Sequence, residues 1–329
     1  MKNFGRKLFL LYIAVMLSAA PMALHAASKK SHKQVSSGSK YKHVKYKSSS
    51  RKIHHKLRAH RAVAVDNYDG STIPKLASAK ALVINQLTGE TVYAKNTDTP
   101  TPIASVTKLM TAMVMLDAHL PMDDLLYIAD EDVDYLKGTR SRLGVGTTLT
   151  RGELLQLALI ASENRAAAAL GRNYPGGITA FVSAMNSKAQ ALGMKSTRFV
   201  DSSGLDSNNV STAEDLAKMV NAAYHYPEIR QVSTLPSQEI TLYGRDNPIN
   251  FVNTNALVRG GNWVIGLSKT GFINEAGRCL VMQAEISGQP MIIVLLDSVG
   301  KMSRIGDANR IKKWVERNDA GSLGEHVHG

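Results

Sequence analysis

The sequence predicts an α/β (α+β) body in which an antiparallel sheet, flanked by helices, stands beside an all-helical lobe. Two observations carry this expectation. Apolar runs of strand length, bounded by turn residues, occur near both ends of the globular stretch, and the stretch between them repeats apolar residues at helical spacing. A third sets the scale. From Ile73 to Arg317 the composition is globular and without repeats, long enough to bury a core that needs no disulfide, and the chain carries a single cysteine, Cys279. Residues 73–317 therefore read as one folded domain, and the polar residues 318–329 as a flexible C-terminus.

The start of the chain is of another kind. Lys2, Arg6 and Lys7 precede an apolar stretch from Leu8 to Ala20, and small residues follow from Ala23 to Ala27. Residues 1–27 read as a secretory signal peptide, cut near Ala26 or Ala27. Residues 28–72 read as a basic, Ser- and His-rich disordered tail. Between Ser28 and Val65 stand 12 Lys and Arg, five His and no acid. Taking those 12 charges and the three of the signal from the formal +13 leaves −2 for Asp66 to Gly329, so the body itself is not basic. A tail of this composition cannot bury enough apolar surface to offset its ordering. After export its partners are anionic envelope polymers, reached by charge through residues 28–65, or it is a solvated linker with none. Export removes nucleic acid as a partner. The five His have no fixed spacing, which argues against a dedicated metal site.

The body can be read element by element. Ala79 to Asn96 forms a hairpin: Ala81-Leu82-Val83-Ile84 runs out, Thr88-Gly89 turns and Thr91-Val92-Tyr93 returns. Pro100 and Pro102 break the chain before a helix that begins near Ser105. Leu109, Met110, Met113, Val114 and Leu116 give it a buried face. Thr150-Arg151-Gly152-Glu153 has capping-box form ahead of an apolar helix to Ile160, and Ser211-Thr212-Ala213-Glu214 has the same form ahead of a helix to Tyr224. Ile178 to Leu192 is a helix stopped by Gly193. Strands return at Val264 to Leu267, which leads into Lys269, and at Leu280 to Ile286 and Met291 to Leu296 around a Ser287–Pro290 turn. Ser303 to Arg317 closes the body as a helix. Cys279, within Arg278-Cys279-Leu280-Val281-Met282, is expected as a small apolar residue on a buried strand.

Three short signatures carry the chemistry: Ser105-Val106-Thr107-Lys108, Ser162-Glu163-Asn164 and Lys269-Thr270-Gly271. In a helix, positions i and i+3 share a face at about 5–6 Å between Cβ atoms, so Lys108 stands beside Ser105. A serine hydroxyl needs a base to become a nucleophile, and lysine is a base only when neutral. Apolar neighbours such as Ile103, Leu109 and Met110, with Lys269 as a second cation, would lower its pKa. A helix starting at the serine also aims backbone N–H groups at a developing oxyanion. Ser162 and Asn164, two apart in a loop after a helix, can face one cleft. The hydroxyl can pass a proton to a leaving amine, and the carboxamide can position a substrate amide or the lysine. Lys269 and Thr270 can clamp a carboxylate. Gly271 lets a substrate backbone approach closely, and the N–H of Phe272 is a second oxyanion donor.

These signatures, in this order, resemble the penicillin-binding and serine β-lactamase superfamily. Pro102 to Ala112 resembles its first box, and Ser-Glu-Asn in the middle position is similar to the low-molecular-weight D-alanyl-D-alanine peptidases. Leu192-Gly193-Met194, Thr197-Arg198-Phe199, Ser203-Gly204-Leu205 and Leu267 to Phe272 followed by Glu275-Ala276-Gly277 extend the likeness over Ala77 to Arg317. Arg165-Ala166-Ala167, Tyr174-Pro175-Gly176-Gly177 and Arg259 to Trp263 resemble the D-alanyl-D-alanine endopeptidase branch, the penicillin-binding protein 7 type.

The resemblance implies a β-lactamase/transpeptidase-like fold. It implies Ser105 as acylated nucleophile, Lys108 as its base and Ser162 as proton relay. Asn164 would hold the substrate amide, Lys269 and Thr270 the substrate carboxylate, and the N–H groups of Ser105 and Phe272 the oxyanion. It further implies peptidoglycan peptide stems as substrate, β-lactams as covalent inhibitors, no metal and no cofactor. The polar 319–329 stretch has no apolar face for a membrane, so the expected compartment is the periplasm.

The leading expectation is an endopeptidase that cuts D-alanyl–diaminopimelate cross-links. The alternatives are a carboxypeptidase on the same polymer and a non-catalytic penicillin-binding wall protein. A β-lactamase is disfavoured because no glutamate stands where it can be assigned to deacylation. A zinc peptidase is disfavoured because no His-Glu-x-x-His occurs.

Overall fold

The computed structural model describes residues 73–242 and 246–325. The segments read as signal (1–27) and basic tail (28–72) lie outside the described residues, as do residues 326–329 of the C-terminal stretch.

In chain order the body opens with β1 (Ser78–Asn85), β2 (Thr91–Lys95) and β3 (Thr101–Pro102). A 3₁₀ turn over Ala104–Thr107 leads into α1 (Lys108–Asp117). Then come β4 (Leu125–Tyr127), β5 (Thr148–Thr150), α2 (Arg151–Ile160), α3 (Asn164–Arg172) and α4 (Gly177–Ala191). β6 (Val210–Ser211), α5 (Ala213–Tyr224), α6 (Pro227–Ser233), β7 (Ser237–Ile240), β8 (Ile249–Val252) and α7 (Ala256–Gly260) follow. The chain ends with β9 (Val264–Ile273), β10 (Gly277–Ile286), β11 (Gln289–Ser298) and α8 (Ser303–Glu325).

One antiparallel sheet, ordered β2-β1-β11-β10-β9, is built from both ends of the body. β10 and β11 are joined through Ser287 and Gly288, both at positive φ, the geometry of a tight two-residue hairpin turn. That turn is shorter than the Ser287–Pro290 expectation because Gln289 and Pro290 already pair with Ile286 and Glu285. The inner strands are apolar on both faces, as a sheet covered on both sides requires. Val281, Ile292, Val294 and Leu296 face the main core with α1, α2 and α5. Leu280, Met282, Ile293 and Leu295 face a second core completed by Ala308, Ile311 and Val315 of α8.

Helix α8 is stapled to the sheet by one carboxylate. The fully buried Asp307 accepts hydrogen bonds from Ala77 N (3.0 Å), Ser78 N (2.7 Å) and Ser78 Oγ (2.6 Å), and it pairs with Arg310. The helix runs to Glu325, past the Arg317 end read from the sequence.

The lobe is mainly helical but also holds three two-stranded ribbons, β3-β6, β4-β5 and β7-β8, which the sequence reading did not anticipate. Each strand has two to four residues, too short for a period-2 pattern to stand out. The capping box at Thr150 forms as expected, with Thr150 Oγ1 accepting from Glu153 N at 3.1 Å and Glu153 Oε2 from Thr150 N at 2.8 Å. The second box is displaced by one residue. Thr212, not Ser211, caps α5 and accepts from Asp215 N at 3.1 Å. Glu214 is drawn away by Thr97, whose hydroxyl donates to it at 2.8 Å. Among the described residues, no helix is long and apolar enough to cross a membrane.

Candidate active site

The turn that carries Ser105 is fixed by its surroundings. The α-helix begins at Lys108, three residues later than read from the sequence, and Ser105 lies in the preceding 3₁₀ turn. In a 3₁₀ turn, side chains at i and i+3 eclipse. Lys108 Nζ accordingly stands 2.8 Å from Ser105 Oγ.

Two glycines make room for this turn. A Cβ on Gly204, at φ +82°, would lie 1.9 Å from the carbonyl oxygen of Ala104. A Cβ on Gly271 would lie 2.9 Å from the oxygen of Ile103 and 3.1 Å from the nitrogen of Ser105. Gly271 is thus required by the chain's own turn, where the sequence reading assigned its bareness to a substrate. Ala104 itself holds φ +49°, a conformation that costs a non-glycine residue about 1–2 kcal/mol.

Lys108 is wholly buried. Its Nζ lies 2.7 Å from Asn164 Oδ1 and 2.6 Å from the carbonyl oxygen of Ser203, besides Ser105. Burial lowers its pKa to about 7, against the opposing pull of Asp201 and Glu163. A neutral amine has two N–H groups and one lone pair. The two carbonyl oxygens can only accept, so they take the N–H groups, and the lone pair is left for the Ser105 hydroxyl. The arrangement can therefore remove the Ser105 proton without first losing one of its own.

Ser162 lies between α2 and α3 at φ +59°, and Asn164 opens α3. Lys269 comes from the middle of β9, which continues past the Lys-Thr-Gly signature to Ile273. Its buried Nζ donates to Ser162 Oγ at 2.9 Å and to the carbonyl of Thr270 at 2.9 Å. Burial, then the Lys108 and Arg304 cations, hold Lys269 well below the usual lysine range. Thr270 Oγ1 donates to Thr254 Oγ1 at 2.7 Å. Ser105, Ser162, Asn164, Thr270, Gly271 and Phe272 line one cleft of about 230 Å³, with Thr254 and Arg304. All the residues singled out in the three signatures thus meet in one place: six line the cleft, and the two lysines reach it through Ser105 and Ser162. Of the two uses read for Asn164, contact with the lysine is the one realised here.

Arg304 was not read from the sequence as a site residue. It stands at the start of α8, is 9% exposed, and its Nε and Nη1 are buried without a hydrogen-bond partner in the protein. Burial and the neighbouring Arg278 lower its pKa. Unpaired buried N–H groups of a cation are costly, so this side of the cleft favours an anion. Ser203, whose carbonyl receives Lys108, was noticed only as part of a familiar string. Cys279 is buried, its Sγ 3.5 Å from the carbonyl of Ala276, and burial raises its pKa to about 11. Such a thiol is no nucleophile.

The sheet, the lobe and the cleft between them define a DD-transpeptidase-like fold. The Streptomyces K15 DD-transpeptidase matches with a TM-score of 0.69 at 30% identity, over 74% of this chain and 98% of that chain. A penicillin-binding protein homolog from Mycobacterium tuberculosis matches with a TM-score of 0.67 at 26% identity, over 74% and 92%. Within that class, residues 67–300 match the peptidase family described as D-alanyl-D-alanine carboxypeptidase, and the chain belongs to it. The chain is similar to the D-alanyl-D-alanine endopeptidase of Pseudomonas aeruginosa, 49% identical over 74% of this chain and 78% of that protein. The D-alanyl-D-alanine endopeptidase of Escherichia coli K12 is 45% identical over the same shares. The D-alanyl-D-alanine carboxypeptidase of Streptomyces sp. K15 is 31% identical over 74% and 88%.

The state of Lys108 predicts a pH profile. A base with a pKa near 7 is half deprotonated there, so acylation of Ser105 by a fluorescent penicillin should rise with pH through about 7 and level off above. A rate independent of pH from 5 to about 9 would refute it.

Proposed function

We propose that this protein is a penicillin-sensitive serine endopeptidase that hydrolyses D-alanyl–diaminopimelate cross-links of peptidoglycan through an acyl-serine intermediate. The observation that carries this is the Lys108 amine, buried, weakly basic and 2.8 Å from the Ser105 hydroxyl. Ser105 Oγ attacks the carbonyl carbon of the D-alanine as its proton passes to Lys108. The backbone N–H groups of Ser105 and Phe272 receive the oxyanion. The C–N bond then breaks as the Ser162 hydroxyl, held by Lys269, gives its proton to the departing amine and takes in return the proton that Lys108 received, which restores the neutral base. Asn164 holds the substrate amide. Water cleaves the ester and frees Ser105.

The carboxylate beside the scissile bond is held by Lys269 and Thr270, and we add Arg304, which lines the same cleft. β9 is an edge strand, so an extended peptide can pair with its free side. The endopeptidase reading is favoured over the carboxypeptidase one by the relatives: those named endopeptidase are 39–49% identical, those named carboxypeptidase at most 31%.

Export by the segment 1–27 would put the enzyme in the periplasm, where the polymer lies. The basic stretch 28–65 would tether it weakly to anionic envelope polymers, because the body itself has no positive excess.

Purified protein should convert cross-linked muropeptide dimers to monomers, and Ser105→Ala should abolish both this and penicillin labelling. If dimers persist while terminal D-alanine is released, the carboxypeptidase reading replaces this one. Arg304→Leu should lower kcat/KM on dimers by roughly 10- to 100-fold, as expected for loss of a charge-assisted bond; unaltered kinetics would remove Arg304 from the clamp. Retention on cell envelopes should fall between low and high salt and vanish when 28–65 is deleted. Salt-independent retention would rule out a tether by charge.

A further inference from the structure

The segment 133–146 arches beside the Ser162-Glu163-Asn164 turn and is anchored along its length. Ser141 Oγ donates to Glu163 Oε2 at 2.6 Å, Arg165 Nη1 donates to the carbonyl of Leu143 at 2.8 Å, and Lys137 pairs with Glu275 in the β9–β10 turn. Arg142 Nη1 donates to the carbonyl of Asn250 at 2.7 Å, and its guanidinium covers the Phe251 ring at 3.9 Å. Within the arch, Asp134 accepts from Leu136 N (2.9 Å), Lys137 N (2.8 Å), Thr139 N (2.8 Å) and Thr139 Oγ1 (2.6 Å). Burial opposes that anion, and the four donors outweigh it and hold its carboxyl below the usual range.

The arch meets Asn164 through Thr139. Asn164 Nδ2 donates to Thr139 Oγ1 at 3.0 Å, while Asn164 Oδ1 faces Lys108 at 2.7 Å. We propose that Thr139, oriented by Asp134, is a positioning residue that sets which end of the Asn164 amide meets Lys108. This rests on the serine peptidase reading above. A carboxylate can only accept, so the single proton of the Thr139 hydroxyl is committed to Asp134. Toward Asn164 the hydroxyl can then only accept, and it selects the NH₂ end. The amide oxygen is thereby turned to Lys108, takes one of its N–H groups, and leaves its lone pair for Ser105. With the amide reversed, the NH₂ would donate to that lone pair, and Lys108 could not receive the Ser105 proton.

The charged groups that act on Lys108 are Asp201, in the loop that presents Ser203, and Glu163, ahead of α3, while Lys108 in turn acts on Lys269 of β9. Thr139 is none of these, so its replacement changes an acceptor's orientation and no charge.

The test uses the full chain and a fluorescent penicillin, with acylation rates followed from pH 5 to about 9. Thr139→Val should lower the plateau roughly three- to tenfold, the range of one hydrogen bond. It should also move the limb near pH 7 to lower pH, because the ammonium form loses an acceptor. Thr139→Ser should keep both plateau and limb. A Thr139→Val plateau within about twofold of wild type, a limb left in place, or an equal loss in Thr139→Ser overturns the proposal. Absence of Ser105-dependent labelling in the wild type overturns the serine reading, and this proposal with it.

Discussion

An amine that must stay uncharged inside the protein is the constraint on which the rest of the site depends. Lys108 occupies a position that a helix of this composition would give to an apolar residue: Leu109, Met110, Ala112 and Met113 beside it are all fully buried. Burial penalises the ammonium form, and the only groups within hydrogen-bond reach are two carbonyl oxygens and one hydroxyl, with no carboxylate among them. A carboxylate in contact would restore the charge and destroy the base. Glu163 and Asp201 act from a distance, and their own oxygens are occupied elsewhere. Glu163 accepts from Ser141, and Asp201 accepts from the N–H groups of Ser203, Gly204 and Asp206.

The remaining cations extend the same logic. Lys269 and Arg304 are buried on the other side of the cleft, and each is pushed toward its neutral form first by burial and then by neighbouring cations, Lys108 and Arg304 for Lys269 and Arg278 for Arg304. In a low-dielectric setting such repulsion is relieved by one bound anion shared between them. In the proposed reaction that anion is the carboxylate beside the scissile bond. Its arrival would stabilise the charged form of Lys269, and its own negative charge, acting against the repulsion from that cation, would favour the proton on Lys108. Substrate recognition and base strength are then two readings of one electrostatic arrangement.

Much of this was legible in the chain. Strong periodic or capped segments, such as the β1–β2 hairpin, the Thr150 box and the β10–β11 hairpin, announce themselves locally. The three signatures named their residues because nucleophile, base and clamp need particular side chains at particular spacings. What escaped was set by tertiary contact. The helix begins at Lys108, and the 3₁₀ turn before it fits only because Gly204 and Gly271 leave it room, neither of which is near it in sequence. The cap of α5 moved to Thr212 because Thr97 holds Glu214. Arg304 reaches the cleft from the final helix, and Thr139 from a loop with no periodicity, so no local pattern marks either. A glycine that belongs to no turn, as Gly271 inside strand β9, was the available signal that two backbones meet there.

The sheet explains how residues so distant in sequence are held together. β9 is its edge strand, and one side of β9 is registered on β10 from Val264 to Ile273. β10 and β11 are buried on both faces, and Asp307 locks α8, with Arg304 near its start, to the first residues of β1. The clamp is therefore carried on the buried, hydrogen-bonded sheet, whereas the nucleophile turn and Asn164 belong to the lobe. At the cleft, β9 itself joins the two: Gly271 lies against the Ser105 turn, Lys269 donates to Ser162 and Thr270 to Thr254. A peptide that pairs with the free side of β9 would lie along this seam, so the strand that aligns the substrate is also the strand that aligns the two halves of the machinery that attacks it.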